Sequence, residues 1–302
     1  RIFLSRVKII IENNRFIQKT SSKTFRLHAQ HGAPLKNASS YNMQIGNLDA
    51  ILSLSENTVM LEQKIFPLTR EKYVVLGYPS NDCLFEKKDL YDIGFIQHLT
   101  KTSQRYVKII GWLPTFRQHK RVGANSDYVF PFGIPLLRNF ADFSLLNDYL
   151  RKKNILLLVQ IHHAQAKNFP VQNFSNVVMV PPEVKQKFNV STANLMHSFD
   201  ALITDYSGAY HEFLLLDRPI ALSVDDYEMY SKNPGFSIDY FDWIKGVYLK
   251  NTFDLINFIE DLCNGVDSAK IERDKAMHRI HKYIDDQSTK RVVDFLVEKV
   301  KL

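Results

Sequence analysis

The chain has 302 residues, 45% of them hydrophobic and 24% charged, the balance of a soluble globular protein with length for about two domains. No apolar run reaches the roughly 18 residues that span a bilayer, no signal peptide is recognisable, and Cys83 and Cys263 stand too far apart for a disulfide scaffold, so a cytoplasmic protein is expected. The formal net charge of +7 calls for a negatively charged partner: a nucleotide, a polyanion, nucleic acid or an anionic membrane face.

In the first third, four short apolar runs read as strands: "VKIIIENN", "FRLHAQHG", "AILSLSE" and "KYVVLGYP". Because a strand is reached so soon after Arg1, the N-terminal domain is expected to be incomplete. The continuous Val/Ile/Leu character fits strands buried on both faces, hence parallel sheets under helices. The second run leads into "QHGAPLK", where His31 follows the strand, Gly32 and Pro34 shape a turn, and Lys36 lies one turn on. A histidine so placed can accept a proton and the lysine can attract an anion. The bland alternative is a polar residue that only braces the turn.

Six more strand-like runs follow: "RYVKIIGWLPTF", "NILLLVQIHH", "NVVMVP", "ALITDY", "PIALSV" and "GVYLKN". The first ends on Thr115 and Arg117, a hydroxyl and a guanidinium suited to phosphate oxygens, although Thr115 also serves as a cap. Between it and the next run, "RQHKRVGANSDYVFPFGIPLLRN" is long and irregular, a candidate binding or lid loop. The helical spacing of "DFSLLNDYLRKKN" and "TFDLINFIEDLCNG" predicts helices opening on Asp and Thr, the second stopping at Asn264 and Gly265. "VQIHH" ends on His162 and His163; neighbours on a strand point to opposite sides, so at most one faces a cleft.

The stretch "LITDYSGAYHEFLLLDRPIAL" reads as strand, polar turn, helix and strand, one crossover of a parallel sheet. Ligands sit beyond the carboxyl ends of such strands, and the free N–H groups of a helix start attract phosphate. Thr204, Asp205, Ser207, Gly208 and Glu212 are therefore candidate ligand contacts. The alternative is that Asp205 or Ser207 merely caps the helix and Glu212 is exposed. In the basic tail, Lys270 to Lys301, the pair His278 and His281 is expected on a wet surface. Acidic residues among the lysines there argue against a nucleic-acid arm.

Missing patterns narrow the chemistry. The 11 glycines are dispersed, which removes the dinucleotide fingerprint and the Walker loop, and no Asp-x-Asp metal clamp occurs. Any phosphate must be held by helix starts and side chains, with no metal site expected. Ten strands in two groups give an α/β protein of two parallel-sheet domains facing a cleft, divided at residues 1–103 and 104–302, with the last helix in the second. A cleft lined by His, Arg and hydroxyls points to group transfer from a nucleotide-activated donor.

Taken in order, "HGAPLK", "GYPSND", "PTFR", the "IHH" strand end, "LITDYSGAYHEFLLLDRPIAL" and "YIDDQSTKRVVDFL" resemble the CDP-glycerol glycerophosphotransferases, which build teichoic acids and related capsule polymers. The resemblance covers nearly the whole chain. It implies a GT-B-like fold of two Rossmann-like domains, with the donor in the C-terminal half and histidines at positions 31 and 162 as the essential pair. It also implies a CDP-activated donor and a lipid-linked or polymeric polyol-phosphate or saccharide acceptor. A peripheral place at the anionic inner face of the membrane follows, with no nucleic acid. Three positions depart from the family pattern: Ser80 where Arg is frequent, Gly208 in place of a second Ser, and Asp286 in place of Gly.

On this resemblance, the helix start with Ser207 and Thr204 would hold the donor pyrophosphate, and Glu212 would meet the ribose. Asp205 would orient a hydroxyl or backbone group, since a carboxylate repels pyrophosphate. His162, Arg117 and Thr115 would stabilise charge on departing CMP, and His31 would take the acceptor's proton. Two other readings stay open at this point: a GT-B glycosyltransferase using a nucleotide sugar, and a non-catalytic polyanion- or nucleotide-binding protein.

Overall fold

The structure is a computed structural model and describes residues 7–13, 21–30, 32, 35, 48–115, 130, 132–161 and 174–300. Among them the ten strand-like runs form ten strands. They are β1 (Ile9–Glu12), β2 (Phe25–His28), β3 (Ala50–Ser53), β4 (Tyr73–Val75), β5 (Lys108–Trp112), β6 (Ile155–Val159), β7 (Val177–Met179), β8 (Ala201–Thr204), β9 (Ile220–Ser223) and β10 (Val247–Leu249). All pairings are parallel, and the strands separate into two sheets.

The first sheet runs β1-β2-β3-β4, and the second runs β10-β9-β8-β5-β6-β7. In the second, the chain builds outward from β5 through β6 to β7, then returns to the other side of β5 to lay down β8, β9 and β10. Strand order therefore reverses between β5 and β8, and the loops leaving those two carboxyl ends diverge to opposite faces. Such a switch point opens a crevice where ligands bind in doubly wound sheets.

Burial explains the strands' composition. Ile110, Trp112, Leu157, Val159, Ala201 and Ile203 point to one face, packed under Phe143, Leu146 and Leu150 of helix Phe140–Lys152 and Leu255 and Ile259 of helix Thr252–Cys263. Ile109, Leu156, Leu158 and Leu202 point to the other, against Leu195, Phe199 and Phe213. Apolar side chains alternate onto two covered faces, so no polar alternation shows in the sequence. Gly111 sits where a Cβ would lie 2.0 Å from the Phe199 ring, so only glycine lets that ring close over β5.

Both helices predicted from periodicity are present; the second opens on Thr252 as expected, and the first starts two residues before the expected Asp142, at Phe140. Their N-caps are Asn139 and Asn251, whose side chains accept from the backbone N–H groups of Asp142 and Asp254. The aspartates return the contact to the N–H groups of Arg138 and Lys250. This reciprocal pairing makes the aspartate the third helical residue, not the first.

The tail joins the two sheets. Lys282 donates its N–H to the Leu54 carbonyl, and Ser55 and Asn57 donate to the carbonyl of Arg279. His281, expected on a wet face, is buried with Nε2 2.7 Å from the His211 carbonyl, while His278 is exposed as expected. Burial pushes the His281 imidazole down to about 4, so it packs as a neutral ring. Arg273, also in the basic tail, is buried between Asp217 and Asp267.

Helix Ser288–Val300 packs on the first sheet's side, with Phe295 edge-on to Phe25 at 6.0 Å. Its start is capped from the "GYPSND" segment: the Asp82 carboxylate accepts from Ser288 N at 3.0 Å and Thr289 N at 2.7 Å. Arg291 forks onto Asp285 at 2.9 and 2.8 Å, donates Nε to the Leu76 carbonyl, and stacks on Tyr283. Gly77, at φ +78°, leaves room for Ser288; a Cβ there would meet its Oγ at 2.5 Å. Two segments some 200 residues apart thus form one latch. Arg291→Ala should cost about 2–3 kcal/mol, the range for losing charged hydrogen bonds in a partly screened site. Thermal melting and proteolysis at the tail measure it; an unshifted melting curve would show that the latch contributes nothing.

Candidate active site

The crevice at the β5/β8 switch point is built first by residues that never face it. Thr204, at the end of β8, is fully buried and donates its hydroxyl to the Leu113 carbonyl at 2.7 Å. It latches two strand ends through this hydroxyl. Asp205 is also fully buried, and its carboxylate accepts from the backbone N–H of Thr115, 2.9 Å to Oδ1 and 3.0 Å to Oδ2. It is closed off from solvent and holds the backbone of the loop after β5, the kind of orienting contact expected of it. Tyr206 is buried in a stack on Tyr230, its hydroxyl on Asp226, while Tyr240 donates to the Asp205 carbonyl. Ser223, at the end of β9, donates to the Thr204 carbonyl. The turn is clamped from three sides before any ligand arrives.

The residues left at the surface of the turn are Ser207, Gly208 and Glu212. Ser207 Oγ accepts from the N–H of Ala209 at 3.3 Å, a loose cap on helix Ala209–Leu214. Gly208 precedes that helix with ordinary helical dihedrals, φ −59° and ψ −21°. A Cβ on Gly208 would lie 3.8 Å from Cα of Gly32, an ordinary contact. Neither space nor backbone demands glycine at position 208. The same contact brings the turn after β8 against the turn after β2, the one that carries "HG". A second bridge joins Ser237 N to the Leu35 carbonyl at 3.1 Å.

Glu212 sits within helix Ala209–Leu214, and burial pushes its carboxyl up to about 7. Among the described residues it has no hydrogen-bond or ion-pair partner. Its ordinary value is 4.5, so the fold is penalised for ionising it: the stability present below pH 4.5 is lost as pH rises towards 7. Donors arriving from a ligand would offset that penalty.

Hydrogen bonds continue the arc along the sheet edge. The Trp112 carbonyl, at the end of β5, accepts from Gln160 N just past β6. Gln160 Oε1 accepts from Lys185 Nζ at 3.0 Å, and Lys185 donates again to Thr192 Oγ1 at 2.7 Å. Sequence reasoning passed over Gln160, Lys185 and Asp226, and no local motif marks them. Their one signal was position: Gln160 stands two residues before His162 at a strand end. His31, Lys36, Arg117 and His162 lie outside the described residues, as does most of the predicted lid loop. Thr115, by contrast, is placed and buried at the crevice floor. No group of three or more His, Cys, Asp or Glu able to hold a metal occurs among the described residues.

The whole-chain comparison decides the family. A model of the CDP-glycerol:poly(glycerophosphate) glycerophosphotransferase family matches residues 1–298. The chain belongs to this family. Relatives of this glycerophosphotransferase-family chain include a teichoic acid poly(ribitol-phosphate) polymerase of Bacillus spizizenii, 26% identical over 257 residues, covering 83% of this chain and 38% of that protein. A teichoic acid glycerol-phosphate primase of Bacillus subtilis strain 168 is 26% identical over 244 residues, covering 80% of this chain and 55% of that protein. The chain thus spans between a third and three fifths of the curated relatives it first matches, at 38%, 59%, 35% and 55% of their lengths. A solved structure of the wall teichoic acid polymerase TagF superposes with a TM-score of 0.74 at 19% identity, over 97% of this chain and 73% of that one. A putative UDP-N-acetylglucosamine 2-epimerase of Listeria monocytogenes reaches 0.53 at 13% identity, over 97% and 75%. The fold of this family member is therefore GT-B-like, with two parallel α/β sheets.

Proposed function

We propose that the chain transfers a glycerol-phosphate or related alditol-phosphate unit from a CDP-activated donor to a hydroxyl of a polymeric or lipid-linked acceptor, releasing CMP. The observation that carries this reading is the turn at the β5/β8 switch point, where Ser207, Gly208 and Glu212 stay partly exposed and Gly208 lies against Gly32 of the opposite half. In this reading residues 1–103 and 104–302 are the acceptor and donor halves, with the terminal helix returning to pack on the acceptor half.

The acceptor oxygen attacks the β-phosphorus of the donor, its proton passes to His31, and the bond from that phosphorus to the CMP oxygen breaks. Ser207 and the N–H groups beside it hold the pyrophosphate, and Glu212 accepts from the ribose hydroxyls. Arg117 and His162 spread the charge that builds on CMP. Thr204 and Asp205 hold the turn in place without touching the donor. Positioning and electrostatics do most of the work in phosphoryl-type transfer, and this set supplies both. No helix among the described residues is long and apolar enough to cross a membrane. Docking to an anionic membrane surface through the net charge of +7 belongs to the same proposal.

Calorimetry with CDP tests the donor site. Ser207→Ala combined with Glu212→Ala should weaken binding by roughly 2–4 kcal/mol, the loss of two hydrogen bonds to charged or buried groups. Unchanged affinity would move the donor elsewhere, and a preference for UDP or GDP over CDP would favour a nucleotide-sugar enzyme.

A further inference from the structure

The Lys185 ammonium is half-buried, held by Gln160 Oε1 at 3.0 Å and Thr192 Oγ1 at 2.7 Å. Both partners are neutral. No carboxylate pairs with it among the described residues, and the segment after β6, residues 162–173, contains no Asp or Glu. The two fully buried cations pair with carboxylates, Arg26 with Glu12 and Arg273 with Asp217 and Asp267, whereas the half-buried Arg218, like Lys185, donates to neutral partners, the carbonyls of His197 and Phe199. Taking an ammonium out of water without a counter-charge costs free energy. Burial accordingly pushes the Lys185 amine down from its ordinary value.

Bridging two oxygens needs only a neutral donor, and a glutamine would do it without the desolvation cost. The charge must answer something else. Lys185 has three N–H donors, of which two are occupied. Its ammonium sits at the end of the arc that runs from Asp205 through Thr115, Trp112 and Gln160, along the carboxyl edge of the second sheet.

We propose that Lys185 is the counter-charge for the phosphate groups of the nucleotide bound at this edge, its third N–H donating to a phosphate oxygen. This rests on the donor reading above and extends it to a residue outside the motif stretches. The bound anion supplies a negative charge that no carboxylate brings to Lys185 among the described residues. Gln160 and Thr192 are positioning residues that aim the ammonium.

The test compares CDP and cytidine on wild type, Lys185→Met, Lys185→Gln and Lys185→Arg, with CDP followed by calorimetry and cytidine by ligand-observed NMR. Lys185→Met should raise the Kd for CDP by about 10- to 100-fold, the span of a lost charged hydrogen bond, and leave cytidine within about twofold. Lys185→Gln, neutral but still a hydrogen-bond donor, should show the same CDP-specific loss and covers the case of a methionine variant that folds poorly. Lys185→Arg should keep most of the affinity. In transfer assays the neutral variants should raise donor KM and leave acceptor KM unchanged. Wild-type CDP affinity in folded Lys185→Met or Lys185→Gln would overturn the assignment, and equal losses for CDP and cytidine would reduce Lys185 to a structural bridge. If wild type itself fails to bind CDP, the donor reading falls, and this proposal falls with it.

Discussion

Replacing His31 by alanine is expected to lower transfer by about 10²–10⁴ while leaving CDP affinity unchanged, the effect of deleting a general base from an otherwise assembled site. The argument is one of position. His31 directly precedes Gly32, whose Cα lies opposite Gly208 at the start of helix Ala209–Leu214. The proposed donor contacts all lie in the second sheet's half, so nucleotide binding does not require His31. The residual activity should also lose its dependence on a group titrating near pH 6–7, where imidazole changes charge. If His31 only braces the turn around Gly32, the variant will instead melt lower and yield less folded protein, with normal turnover per folded molecule. Melting, CDP affinity and single-turnover transfer on this one variant separate the two, and full activity in a well-folded His31→Ala protein would end the general-base assignment.

Asp205→Ala should be the most damaging change on the donor side, although Asp205 touches no donor. Removing the carboxylate leaves the buried N–H of Thr115 without the acceptor that now holds it at 2.9 and 3.0 Å. Losing a hydrogen bond to a charged group and orphaning its buried donor together cost roughly 3–5 kcal/mol. At about 2–4 °C per kcal/mol, the slope for domains of about 150–250 residues, the melting temperature should fall by roughly 6–20 °C. The folded fraction should bind CDP more weakly, because the turn after β8 and the loop after β5 would no longer be tied. Asp205→Asn keeps one carbonyl acceptor in the same place and should recover about half of both losses. An alanine variant that melts with wild type would show that Thr204 and Tyr240 suffice to hold the turn.

Much of the fold was legible in the sequence for a simple reason. Strands covered on both faces need apolar side chains at nearly every position, so those of the second sheet stand out as runs rich in Val, Ile and Leu regardless of what they pair with, whereas β2 (Phe-Arg-Leu-His) carries buried Arg26 and His28. Helix ends were less legible. The Asn139–Asp142 and Asn251–Asp254 pairs both carry capping residues, and composition alone does not say which one lies outside the helix. His281 was misplaced because the helix to which it belongs has a weak apolar stripe, and its burial comes from the His211 carbonyl 70 residues away.

The sequence by itself determined the strands, the crossover at "LITDYSGAYHEFLLLDRPIAL", and the order of motifs that placed the chain in its family. All of these depend on neighbours within one element or on the order of elements along the chain. Only the tertiary structure decided the strand order that puts β8 beside β5 and so makes the crevice. It also divided the polar turn into Thr204, Asp205 and Tyr206, which are buried and hold the scaffold, and Ser207, Gly208 and Glu212, which stay partly exposed. A hydroxyl or carboxylate looks the same in sequence whether it will face water or a backbone group on a distant strand. Its fate is set by which strand arrives beside it, and for Asp205 that strand's loop begins 90 residues earlier.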